Sequence, residues 1–89
     1  MSNYVIAHHQ VEDFAKWKAV FDSVADLRRA NGETSAQILH AADDPNSLTL
    51  IFGWDSIENA RSYTQSPELK AAMQKAGVTG PPTFYFVTD

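Results

Sequence analysis

The sequence predicts an α+β fold of the ferredoxin-like type: a four-stranded antiparallel sheet with its helices on one face, paired through the other face into a dimeric α/β barrel. Three observations carry that prediction. Strand-like and helix-like segments follow one another in the order βαββαβ. One long segment carries an apolar stripe at helical spacing. Several strands are apolar on both of their faces, which an isolated two-layer domain does not need.

Residues 4–10 read as the first strand, rich in Tyr, Val and Ile and free of Gly and Pro. Asp13 stands as an N-cap before an amphipathic run. Phe14, Trp17, Val20, Phe21, Val24 and Leu27 recur there at spacings of three and four, so one continuous helix is expected. Arg28 and Arg29 in its last turn suit the negative end of the dipole, and Asn31-Gly32 supplies the stop. Residues 34–41 and 47–54 read as a hairpin around Asp43-Asp44-Pro45-Asn46, where Pro presets φ and Asp and Asn bond their own backbone. Asp55 and Glu58 form a capping box for a short helix to about Thr64. Ser66-Pro67 opens another that stops at Gly77, and Gly80-Pro81-Pro82 leads into a last strand over 83–87.

In the third strand Leu48, Leu50, Phe52 and Trp54 share one face, while Thr49, Ile51 and Gly53 share the other. The first strand sets Tyr4 and Ile6 against Val5 and Ala7, and the last sets Tyr85 and Val87 against Phe84 and Phe86. Left wet, the second face would be an apolar patch of a size that monomers avoid. The natural cover is a second copy of the same face about a two-fold axis, so a homodimer is expected.

One domain over 1–89 is expected, with no cysteine to staple it by disulfide or thiolate-bound metal. A formal charge of −4 and the lack of a basic stripe argue against a nucleic-acid partner. An RNA-recognition domain would need a basic, aromatic third strand, and an amino-acid-sensing domain a glycine-bearing loop after the first; neither is present. No apolar run approaches the ~20 residues of a membrane helix, and residues 1–4 carry no signal-peptide pattern, so a cytoplasmic protein with no membrane partner is expected.

The chain resembles the antibiotic-biosynthesis-monooxygenase-like group of dimeric α/β-barrel proteins. The resemblance rests on Asp13, Trp17 and Phe21, on the segment Phe52-Gly53-Trp54-Asp55-Ser56-Ile57-Glu58, on Ser66-Pro67-Glu68-Leu69-Lys70 and on Gly80-Pro81-Pro82. It implies a small-molecule-binding dimer. Such a protein acts as a cofactor-independent monooxygenase, or as an isomerase or cyclase, on a planar aromatic or polyketide-like compound. The alternative is a non-catalytic ligand-binding or stress-response module. Cofactor-free monooxygenases of the group share Trp54, but place an asparagine, a tyrosine and an arginine where this chain has Leu50, Ala60 and Gln74. Haem-degrading members carry a histidine where this chain has Thr64, so no haem, and no other cofactor, is expected.

Trp54, ending the third strand before a helix, is either a plug of the sheet end or a flat wall for a planar ligand. Tyr63, nine residues on, reaches toward the same pocket mouth. Three histidines are candidate bases. His8 and His9 are strand neighbours, so they point to opposite faces and cannot chelate one metal together. His40 shares the face of Trp54 only if the register sets it opposite Leu48. Trp17 and Phe21 are explained as core by their stripe. No metal site is expected, because the histidines lack a closely spaced ligand pair.

Overall fold

Eight elements follow in order in the computed structural model, which describes residues 2–89: β1 (Asn3–Gln10), α1 (Phe14–Ser23), α2 (Ala25–Ala30), β2 (Glu33–Ala41), β3 (Asp44–Trp54), α3 (Ile57–Thr64), α4 (Pro67–Ala76) and β4 (Thr83–Thr88). Met1, part of the predicted approach to the first strand, lies outside the described residues. The strands form one antiparallel sheet in the order β2-β3-β1-β4. This is the predicted ferredoxin-like arrangement. Among the described residues no helix is long and apolar enough to cross a membrane.

The helices cover the face that carries Val5, Ala7, Leu48, Leu50, Phe52 and Trp54, all buried. The opposite face presents Tyr85, 56% exposed, with Val87 on the same edge strand and Leu39 on the other edge strand. Tyr4, Ile6 and Ile51 on that face are half-buried. The chain therefore has the two apolar faces expected from its strands, one of them uncovered.

Three local expectations are corrected. The first helix is broken at Val24, whose φ of −108° and ψ of 15° leave the helical region. Ser23 turns its hydroxyl back onto the Val20 carbonyl at 2.6 Å, a bond that competes with the helical ladder. The Phe21 carbonyl accepts Arg28 Nη1 at 2.7 Å as well as the Val24 N–H at 3.4 Å. Arg28 thus does not lie on the solvated side beside the helix end; it is 5% exposed.

The hairpin turns at Ala42-Asp43 rather than over 43–46. Pro45 and Asn46 instead lie within β3, at an irregularity where the pairing jumps from His40↔Leu48 to Ala41↔Asp44. Proline is tolerated there because no ladder donor is required of it. Asn46 does more than bond its own turn. Its side chain accepts Phe14 N at 2.9 Å and donates to the Glu12 carbonyl at 3.3 Å, pinning the start of α1.

The cap of α3 is Ser56, accepting Asn59 N at 3.0 Å, one residue later than the predicted Asp55. Asp55 binds the Asn59 side chain instead. Other caps match expectation: Asp13 accepts Ala15 N, Ser66 accepts Leu69 N, and Gly77 takes the left-handed stop at φ 81°.

Candidate functional site

A row of rings runs between the helices and the sheet. His40 meets Phe14 edge-on at 4.4 Å, Phe14 stacks on Trp17 at 5.8 Å, and Trp17 on Phe21 at 4.7 Å. Phe21 then faces Phe52 at 6.2 Å, Phe52 faces Trp54 at 6.2 Å, and Trp54 faces Tyr63 at 5.3 Å. The row arises because the α1 stripe and the inward face of β3 are both aromatic.

The rings do not fill the space between the layers. A partly open cavity remains under α1, α2, α3 and α4, with about 70 Å3 open to the centre of a water-sized sphere. One water needs roughly 10–15 Å3 on this measure, so the space takes several waters or part of an organic ring. Trp17, Phe21, Phe52 and Trp54 are among its walls, and Leu50 forms part of its floor. Trp17 and Phe21, expected to be simply core, therefore also bound the cavity.

Two polar side chains that line this space have ring or hydroxyl atoms with nothing to bind. Both ring nitrogens of His9 and the hydroxyl of Tyr63 are buried without a hydrogen-bond partner among the described residues. His9 is 7% exposed and Tyr63 5%. Buried polar groups normally find partners, and each failure costs about 1–3 kcal/mol. Burial, helped by the charge of neighbouring His8, lowers the pKa of His9 from 6.5 to about 4. Its imidazole is therefore neutral at pH 7, offering one donor and one acceptor. Burial pushes the Tyr63 hydroxyl up, with the positive charge of Arg28 opposing.

Arg28 is the third polar member of the lining. Its Nε donates to Glu33 at 2.6 Å, both side chains being only 7% exposed, and its guanidinium lies 3.6 Å over the Phe21 ring. Neither Arg28 nor Glu33 stood out in the sequence. A signal was present: Arg28 falls four residues after Val24 and seven after Phe21, on the apolar stripe itself.

The five residues singled out from sequence separate into two groups. His9, Trp54 and Tyr63 meet in the one cavity. Trp54 also closes the sheet end, its Nε1 donating to the Asn31 carbonyl at 2.9 Å, so plug and wall coincide in one side chain. His40 does pair with Leu48 and shares the face of Trp54, but it is exposed and binds the Pro45 carbonyl through Nδ1 at 2.8 Å, outside the cavity. His8 lies on the opposite face with Nδ1 3.1 Å from Thr49 Oγ1. Thr64 also borders the cavity, whereas Gln74 is exposed and Ala60 is fully buried. Among the described residues no group of three or more His, Cys, Asp or Glu could hold a metal ion together.

Comparison with known proteins bears on the fold. A Bordetella bronchiseptica protein provisionally assigned as an antibiotic biosynthesis monooxygenase superposes with a TM-score of 0.81 at 19% identity, over 99% of this chain and 96% of that one. SnoaB from Streptomyces nogalater, described as a cofactor-independent oxygenase, gives 0.74 at 17% identity over 99% and 94%. Rv0793 from Mycobacterium tuberculosis gives 0.70 at 19% identity over 100% and 95%. At these identities the likeness speaks for the fold. No curated protein matches the chain in sequence. The sequence profile of the antibiotic biosynthesis monooxygenase family matches residues 6–75, and the chain belongs to that family.

Proposed function

We propose that the chain binds a small, planar, largely apolar compound with an ionisable hydroxyl in this cavity. On this reading it acts on the compound as a cofactor-independent monooxygenase, or by proton transfer as an isomerase or cyclase. The observation that carries the reading is the buried His9 imidazole, both nitrogens without a partner among the described residues, in the lining of a largely apolar space. Folding alone gains nothing from leaving it there, whereas a hydroxylated ligand supplies the missing partner.

His9 accepts a hydrogen bond from the ligand hydroxyl and takes its proton as the anion forms. A base with a pKa of about 4 is weak by itself. A phenolate or enolate formed beside it in a low-dielectric cavity stabilises the imidazolium and raises that value. The planar anion lies against the Trp54 ring. Such an anion is electron-rich enough to reduce O2 directly. In the balanced reaction a ring CH2 becomes C=O with one oxygen atom, and the other leaves as water with the two hydrogens. SnoaB, with the same fold, is described as a cofactor-independent oxygenase, which supports this direction.

The uncovered sheet face around Tyr85 supports a homodimer through that face. The second reading, a binding module without turnover, draws on Leu50, a cavity-floor residue without the polar function of an asparagine.

Incubation of the protein with bicyclic and tricyclic phenols under air, with binding read by tryptophan fluorescence and products by mass spectrometry, tests the proposal. Turnover lost in His9→Leu is expected. Tight binding with no product in wild type favours the module, and no binding of any planar phenol refutes the cavity reading.

A further inference from the structure

The polar groups of the cavity are not gathered at one end. His9 pairs with Leu48, whereas Tyr63 packs on Trp54, six residues further along β3. Arg28 belongs with Tyr63. Its partner Glu33 pairs in the sheet with Trp54, the ring on which Tyr63 packs at 5.3 Å. The cavity thus has a histidine pole and an arginine–tyrosine pole, with apolar rings between them. Ring-to-ring steps of 5.8 and 4.7 Å, then 3.6 Å from Phe21 to the guanidinium, lead from His9 to Arg28. A two-ring molecule seated partly through the open side of the cavity spans them.

Resting on the cavity reading above, we infer that Arg28 and Tyr63 form a second subsite, which receives an acceptor oxygen of the ligand conjugated to the hydroxyl held by His9. The donors are in place. The Tyr63 O–H has no partner, and Arg28 commits Nε to Glu33 and Nη1 to the Phe21 carbonyl, which leaves Nη2 N–H groups unspent among the described residues. Glu33 holds the guanidinium in one orientation and also neutralises it. A free carboxylate or phosphate would meet the Glu33 charge beside the arginine. A carbonyl oxygen, or the delocalised oxygen of an enolate, meets only donors.

The arrangement gives the subsite a role in the chemistry as well as in selection. When His9 takes the hydroxyl proton, conjugation moves negative charge toward the far oxygen. Preorganised donors at that oxygen stabilise the anion more than the neutral ligand. Arg28 and Tyr63 therefore favour ionisation from the other end of the molecule.

A matched pair of ligands separates the possibilities. One is a hydroxytetralone with its hydroxyl and carbonyl at opposite ends of the bicyclic frame. The other is the tetralin phenol identical to it except for the carbonyl. Wild type should bind the hydroxytetralone about tenfold more tightly, as for one or two buried hydrogen bonds. Its bound absorption should shift toward that of the anion. Tyr63→Phe should erase most of the preference while leaving affinity for the tetralin phenol unchanged. The thermal midpoint of Tyr63→Phe should hold or rise, because the hydroxyl has no partner to lose. Glu33→Gln, which leaves Arg28 uncompensated, should improve binding of a hydroxynaphthoic acid relative to wild type. Equal wild-type affinity for the matched pair, or a preference intact in Tyr63→Phe, overturns the subsite and leaves the cavity reading standing. Failure of both ligands to bind wild type overturns the cavity reading and this inference with it.

Discussion

His9→Leu replaces an imidazole by an aliphatic side chain of similar volume at a position only 7% exposed. At neutral pH the substitution removes two buried nitrogens that have no partner, without stranding any other group. Relief of that desolvation should stabilise the fold by about 1–3 kcal/mol. The thermal midpoint should rise by several degrees, at the ~4–8 °C per kcal/mol expected for a domain of this size.

Acid should amplify the difference. The folded protein holds His9 near pKa 4, against 6.5 for the free side chain. Between those values the unfolded chain binds a proton that the folded chain refuses. Stability that is complete above about pH 6.5 therefore drains away as pH falls toward 4. The whole shift amounts to about 3 kcal/mol, of which about 2 kcal/mol is lost by pH 5. Urea denaturation of both proteins at one concentration, at several pH values from about 7.5 down to 5, isolates this contribution, because the other titrating groups cancel in the difference. The gap between variant and wild type should widen by about 2 kcal/mol across that range. A gap that stays constant would show that His9 is hydrogen-bonded or hydrated in the folded protein, and the case for an unpartnered base would fall with it.

Trp54→Phe keeps much of the buried area but deprives the Asn31 carbonyl of its donor, so a loss of about 1–2 kcal/mol is expected, measured by denaturant titration. Planar-ligand affinity should fall further than that, and fluorescence quenching on ligand addition should shrink once Trp17 is the remaining emitter. Arg28→Ala strands Glu33 at 7% side-chain exposure and should cost about 3–5 kcal/mol, whereas Arg28→Met with Glu33→Leu should recover most of it. Tyr85→Asp places a charge on the uncovered face at a residue 56% exposed, so the isolated fold should tolerate it. Light scattering should fall from about twice 9.9 kDa toward the single-chain mass, and an unchanged mass would refute pairing through this face.

The order of elements was legible because each is announced by a separate local rule. Asp13, Ser66 and Gly77 are caps with defined chemistry, and the alternation in β3 assigns its faces residue by residue. The misplaced details come from side-chain hydrogen bonds to the backbone. Val24 breaks the first helix because Ser23 and Arg28 compete for carbonyls, and Arg28 does so from seven residues away. Asn46 looks like a turn residue by type, yet its side chain serves α1, across 32 positions of chain. The first depends on side-chain competition that hydrophobic periodicity does not register, and the second on a contact that no window of neighbouring residues contains. The register of His40 was open for the same reason, since an irregular hairpin decouples turn position from pairing.

The site was legible by residue type but not by geometry. Trp54, Tyr63 and His9 line one cavity, and strand alternation already allowed only one of His8 and His9 to face the helices. Trp17 and Phe21 read as plain core because periodicity reports which way a side chain points, not whether the space in front of it is filled. A cavity is a deficit in the summed volume of side chains from seven elements, and no single segment carries it. The two unpartnered groups give the cavity its meaning. A chain under pressure to pack alone could carry leucine at His9 and phenylalanine at Tyr63, gaining stability at each and stranding no neighbour. Packing therefore accounts for the aromatic row but not for the polar atoms at its ends, and a ligand with oxygen at both of its own ends accounts for both.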